Sequence, residues 1–378
     1  MHFDPNHKKI APHATSNTIQ VFERIGLPYT DNIDEICSSS SARWITFLPS
    51  FPNGSFGYAN VEKQLLTGKT AGSDARKLPR LYIEYVGQGD SEKPLEYAYG
   101  TMERADLVQA QWAAHNVQET VIVAMGYSSL VVMELVRRQQ ERERVGKEIS
   151  TRILHVLGIN GAWYANDDDD DEDDNVDNQT RPHLRHRGRR LWLTKLLLQS
   201  SSSRRRVGQL SASLAQRSNI VLDFLLRNYF NSSTGRRKWH SHEELREIEN
   251  AIRRHDGAST FLAQAASVLL GEEHQDWADR WNLSEIFWDD YMFHCDDDRR
   301  MIAWDIVGSR DDIWHGHQLG MVQKRLGSYS DHIKISSLPG GHLVGESESP
   351  AVCQHIEALV SRALERQDVG NKMNSLWT

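Results

Sequence analysis

Short apolar runs, rich in β-branched residues, recur along the chain at 19–25, 44–48, 81–86, 120–124, 153–159 and 301–307, with a last one at 332–336. Each has the length and composition of a buried strand. Between several of them the pattern turns helical. Residues 101–115 put Leu107, Ala110, Trp112 and Ala113 at apolar helical positions, and Thr101 is the expected N-cap. Residues 131–140 predict a second helix. Strands alternating with helices over such connections predict an α/β fold, a mostly parallel sheet flanked by helices.

The alternation breaks between about 163 and 300. The acidic run at 167–174 and the basic stretch at 181–190 offer nothing apolar to offset ordering entropy, so 166–180 reads as a mobile acidic loop, solvated rather than ligand-binding. Apolar helical segments follow at 191–198, 221–230 and 258–270. Ser241-His242-Glu243-Glu244 has the spacing of a capping box ahead of a polar helix ending near His255. The organisation expected is an N-terminal extension with the first strand (1–40), a core formed by 41–163 and 301–378, and an inserted helical lid at 164–300. Such a lid would lie over the edge where open α/β sheets bind ligands.

Composition supports one large globular unit: 378 residues, 39% hydrophobic and 25% charged. The net charge of −8 is concentrated in the acidic run and indicates no nucleic-acid partner. Cys37, Cys295 and Cys353 are too scattered for metal ligation, and a reduced protein is the plain expectation. The N-terminus has no basic-then-apolar leader, and no apolar run has the length of a membrane span, so a cytoplasmic protein without membrane insertion is expected. No cofactor or metal is indicated.

Several motifs carry chemistry. Leu81-Tyr82-Ile83-Glu84 leads into Tyr85-Val86-Gly87-Gln88-Gly89-Asp90-Ser91-Glu92-Lys93-Pro94, an acid-x-x-Gly-x-Gly-x-Ser-x-x-Pro arrangement after a strand. Thr120-Val121-Ile122-Val123-Ala124 runs through Met125-Gly126-Tyr127-Ser128-Ser129-Leu130 into a helix, the layout of a nucleophile elbow. Trp304-Asp305-Ile306-Val307-Gly308-Ser309-Arg310-Asp311 ends a strand in Gly-x-x-Asp, and Leu338-Pro339-Gly340-Gly341-His342-Leu343 is a glycine loop bearing a histidine. Together they resemble the α/β-hydrolase superfamily, nearest in pattern to epoxide hydrolases and haloalkane dehalogenases, with a degenerate elbow. The resemblance implies Asp311 (Asp312 the alternative) as the acid that orients His342. It also sets Leu48-Pro49-Ser50-Phe51-Pro52 in the place of the family's His-Gly-x-Pro loop, with the Phe51 N–H as an oxyanion donor. His315 and His317 flank Gly316 and read as surface loop residues.

Two registers fit the elbow. In one, Gly126-Tyr127-Ser128-Ser129-Leu130 is Gly-x-Ser-x-Gly, with Ser128 as nucleophile and the Ser129 N–H as second oxyanion donor; Leu130 then occupies a position that is normally small. In the other, Gly126 is the apex between Ala124 and Ser128, in place of the aspartate of His-Asp-Trp-Gly-Gly, and cannot attack. Glycine meets the steric demand of the apex better. The functions implied are a hydrolase of a small, largely apolar ester or related substrate through Ser128, His342 and Asp311, a non-catalytic binding protein of this fold, or an enzyme using the His/Asp pair without a protein nucleophile.

Overall fold

The computed structural model describes residues 8–10, 19–26, 43–67, 74–94, 97, 99–161, 163, 242–254, 257, 260, 302–310, 313–326, 333–341 and 344–375. Strands β1 (Lys8–Ile10) and β2 (Ile19–Val21) form a separate antiparallel ribbon. The main sheet comprises β3 (Glu23–Gly26), β4 (Arg43–Leu48), β5 (Arg80–Ile83), β6 (Glu119–Met125), β7 (Arg152–Ile159), β8 (Ala303–Ser309) and β9 (Ile333–Leu338). Its order is β3-β5-β4-β6-β7-β8-β9, and only β3 runs antiparallel to its neighbour.

The helices are α1 (Ala59–Thr67), α2 (Asp74–Lys77), α3 (Thr101–Ala114), α4 (Ser128–Arg144), α5 (His242–Arg253), α6 (Ile313–Leu326), α7 (Val344–Ser347) and α8 (Ser349–Ser375). The central strands are buried on both faces, which is why they read as continuous apolar runs rather than alternating ones. In β6, Val121, Val123 and Met125 join the core under α1, α2 and α8, while Ile122 and Ala124 join the core under α3, α4 and α6. Buried Thr46 and Thr120 share a 2.8 Å hydroxyl contact, and the Trp112 indole donates to Thr46, so these polar groups keep partners inside the core.

The parallel-sheet expectation is met, with differences in detail. The first predicted strand is two strands: the chain changes partners at Phe22, from the β1 ribbon to β5. The segment expected at 81–86 ends as a strand at Ile83, because the backbone turns at Glu84 into the glycine loop. Thr101 is the first residue of α3 rather than its cap. Gly100 is the N-cap, and the Thr101 hydroxyl instead pairs with that of Tyr127 at 2.7 Å. His315 and His317 lie on α6, not in a loop; Gly316 is tolerated inside the helix. The expected polar helix near 242–255 is α5. Most of the expected lid and the acidic loop fall outside the described residues.

Candidate active site

The C-terminal ends of β4, β6, β7, β8 and β9 lie along one edge of the sheet, as parallel pairing requires. At the centre, β6 turns into α4 through Gly126, whose φ is +59° and whose N–H donates to the Ile159 carbonyl at 2.8 Å. A left-handed residue between a parallel strand and a helix is the backbone signature of an elbow apex. The turn then closes through Ser129 N–H to the Gly126 carbonyl (3.1 Å) and Leu130 N–H to the Tyr127 carbonyl (3.1 Å). Ser129's amide is therefore engaged inside the turn.

Ser128 is the first residue of α4 and is fully buried. Its hydroxyl donates to the Pro49 carbonyl at 2.5 Å and lies 2.9 Å from the Tyr85 hydroxyl. A carbonyl can only accept, so the single Ser128 proton is committed there and Tyr85 donates to Ser128. This arrangement ties α4 to the loops after β4 and β5.

The loop after β4 crosses directly over the apex. A Cβ built on Gly126 would overlap the Ser50 hydroxyl and stand 3.2 Å from the Ser50 Cβ. Ser50 is buried, and among the described residues its hydroxyl makes only a long 3.3 Å bond to the Phe51 carbonyl. Phe51, the expected oxyanion donor, is buried one residue further on, and the Phe51–Pro52 peptide is cis.

Glu84 holds the neighbouring glycine loop. Its carboxylate accepts from the Ser55 N–H (3.1 Å) and hydroxyl (2.6 Å) and from the Asp90 N–H (2.6 Å). Burial pushes its pKa up, and those three donors oppose the shift. Gly89, at φ +50°, passes so close to this carboxylate that a Cβ would collide with it. Lys93 donates to the carbonyls of Gly89 (2.7 Å) and Ser91 (3.2 Å). Arg254, just beyond α5, pairs with Asp90 at 2.6 Å, and Ala251, Ile252 and Gly257 close a small pocket against Phe51, Pro52, Gly87 and Gly89.

On the other side, the chain segments leading to Asp311 and His342 are laced together. Ser309 donates its hydroxyl to the Gly340 carbonyl, and the Arg310 N–H donates to Leu338 at 2.8 Å. Asn160, held at φ +49°, accepts from the Ser309 N–H (2.7 Å) and donates to the Gly341 carbonyl (3.4 Å). Asp311, Asp312 and His342 themselves lie outside the described residues. No cluster of His, Cys, Asp and Glu suited to a metal occurs among the described residues, and none of their helices is long and apolar enough to cross a membrane.

The close approach of Ser50 to Gly126 was not foreseen from the sequence, where the two residues stand in separate motifs.

No protein-family model matches the chain, and no functionally curated protein matches it. Solved structures do. The haloalkane dehalogenase DatA from Agrobacterium tumefaciens C58 aligns with a TM-score of 0.60 over 95% of this chain and 97% of that one, at 15% identity. A loop variant of the haloalkane dehalogenase DbeA from Bradyrhizobium elkanii gives 0.61 over 98% and 100%, at 12% identity. The epoxide hydrolase CorEH gives 0.58 over 95% and 99%, at 12% identity. The chain has the α/β-hydrolase fold, and identities this low carry the fold alone.

Proposed function

We propose that this protein is a cytoplasmic hydrolase of a small, largely apolar ester or related substrate, acting at the sheet edge beside Gly126 with His342 oriented by Asp311. The observation that carries this is the lacing of Ser309, Arg310 and Asn160 to Leu338, Gly340 and Gly341. These bonds hold the two segments that run into Asp311 and His342 side by side, next to the elbow. Such a pair serves general acid–base chemistry. The inserted segment acts as a lid, with α5 resting on the glycine loop through Arg254 and Asp90.

Ser128 is not the nucleophile in this proposal. Its proton is committed to the Pro49 carbonyl and it has no exposed surface. A second reading, a binding protein that has lost catalysis, is favoured by the missing side chain at Gly126. The two separate by experiment. Hydrolysis of short-chain p-nitrophenyl esters by the wild type, lost in His342→Ala and kept in Ser128→Ala, supports the enzyme. Absence of turnover across the ester panel, with fluorogenic apolar probes still bound, would establish the binding protein.

A further inference from the structure

We propose that Ser50 supplies the nucleophilic hydroxyl that the elbow lacks, so that the reactive oxygen reaches the apex from the loop after β4 instead of from the turn after β6. The inference rests on the hydrolase reading above and gives its site a nucleophile.

In an elbow the nucleophile's side chain rises from the apex Cα into the site. Here the apex is Gly126, and the space its Cβ would fill is taken by the Ser50 hydroxyl. The two positions have exchanged what they carry. A serine stands where the resembled loop has glycine, and a glycine stands where the resembled elbow has a nucleophile. Each change is tolerated because of the other, since a side chain at 126 would collide with Ser50.

The hydrogen bonds distinguish this serine from its neighbours. Ser128 is held by two strong partners and Ser309 by the Gly340 carbonyl. Ser50 has, among the described residues, only the 3.3 Å contact to Phe51, a weak bond that a base or substrate can replace. A hydroxyl needed solely to fill space would gain by a better partner in so buried a position.

A donor for the developing oxyanion lies beside it. Tyr127 follows the apex, and nothing among the described residues accepts its N–H, although its carbonyl accepts from Leu130 and its side-chain hydroxyl pairs with Thr101. That amide also opens α4, a helix of 17 residues, whose N-terminal end favours negative charge.

The step balances without a cofactor. Ser50 Oγ attacks the ester carbonyl carbon, forming an O–C bond, while its proton passes to the His342 imidazole. The carbonyl oxygen takes up negative charge facing the Tyr127 N–H. The C–O bond to the alcohol breaks, and the imidazole returns the proton to the departing alcohol. Water then attacks the acyl-serine by the same route, releasing the acid and restoring Ser50.

The test is labelling of the full-length protein with an alkyl fluorophosphonate, followed by tryptic mapping. Ser50 and Ser128 fall on different peptides, since Arg43 and Lys63 bracket one and Arg104 and Arg137 the other. The expected result is a phosphonyl adduct on Ser50, lost in Ser50→Ala, kept in Ser128→Ala, with ester turnover in Ser50→Ala down by roughly 1,000-fold or more. Circular dichroism checks that the variant folds. Should it not, Ser50→Cys, closer in volume, is expected to be alkylated by iodoacetamide at residue 50 and to retain a burst of p-nitrophenol. A Ser50→Ala protein that folds and turns over ester at the wild-type rate, while His342→Ala does not, overturns the role of Ser50 and leaves the hydrolase standing. Neither labelling nor turnover in the wild type overturns both.

Discussion

The Ser128 hydroxyl sits 2.9 Å from that of Tyr85, with both residues sealed from solvent. Because the Ser128 proton goes to Pro49, the pair forms a short chain from Tyr85 through Ser128 to a backbone carbonyl. Its function is to hold three loops together. Ser128→Ala leaves the Pro49 carbonyl and the Tyr85 hydroxyl buried without partners, at an expected cost of about 1–3 kcal/mol. Urea unfolding measures the loss. Ester turnover per folded molecule stays within a few-fold of wild type, and a collapse of turnover without loss of stability would restore Ser128 as nucleophile.

Gly126 and Ser50 compete for one volume, which makes their substitutions strongly non-additive. Gly126→Ala places a Cβ against the Ser50 hydroxyl on a backbone already at φ +59°. Overpacking and left-handed strain together predict a loss of about 2–4 kcal/mol. In the Ser50→Gly background the collision disappears and only the backbone term of about 1 kcal/mol remains. A thermodynamic cycle from denaturant unfolding should give a coupling of at least about 1 kcal/mol. Additive effects would mean that the loop after β4 moves aside.

Much of this fold was legible because the central strands are buried on both faces and so stand out as unbroken runs, as in Thr120–Ala124 within β6. The break at Phe22 was not, since apolar residues continue through it while the hydrogen-bonding partner changes. Gly316 suggested a loop at His315 and His317, yet tertiary packing keeps α6 intact, with Leu319 and Val322 buried against the sheet. At the site, Gly126 could be suspected as apex from the small residues around it. The part played by Ser50 could not, because it is a fit of volumes between loops 76 positions apart in the chain.

Arg104 raises a different question. Its guanidinium carbon lies 4.5 Å from the Tyr127 ring centre and 5.2 Å from that of Tyr85, and none of its three guanidinium nitrogens meets an acceptor among the described residues. Stacking on two rings returns about 2 kcal/mol, whereas burying an unpaired charge costs several. Arg104→Met is therefore expected to stabilise the fold by about 1–3 kcal/mol, seen as a raised melting temperature. A fall of similar size would show that an anion or carboxylate pairs with Arg104 in solution.

Lys93 gives the fold a pH dependence in the alkaline range. Burial lowers its pKa from 10.5 to about 8, with Glu84 and Asp90 opposing the shift and Arg254 adding to it. Between about pH 8 and 10.5 the folded protein has released a proton that the unfolded chain still binds, so stability rises with pH through that window. Tyr82, Tyr85, Tyr97 and Tyr99, whose pKa values burial raises, act in the opposite sense at higher pH, where the folded state retains protons that the unfolded chain loses. Comparison with Lys93→Met isolates the lysine from these groups, which both proteins share. Urea unfolding at pH 7.5, 8.5, 9.5 and 10.5 should show the wild type gaining on the variant across the series. Parallel curves would mean that Lys93 keeps its charge, through its bonds to Gly89 and Ser91, well beyond pH 8.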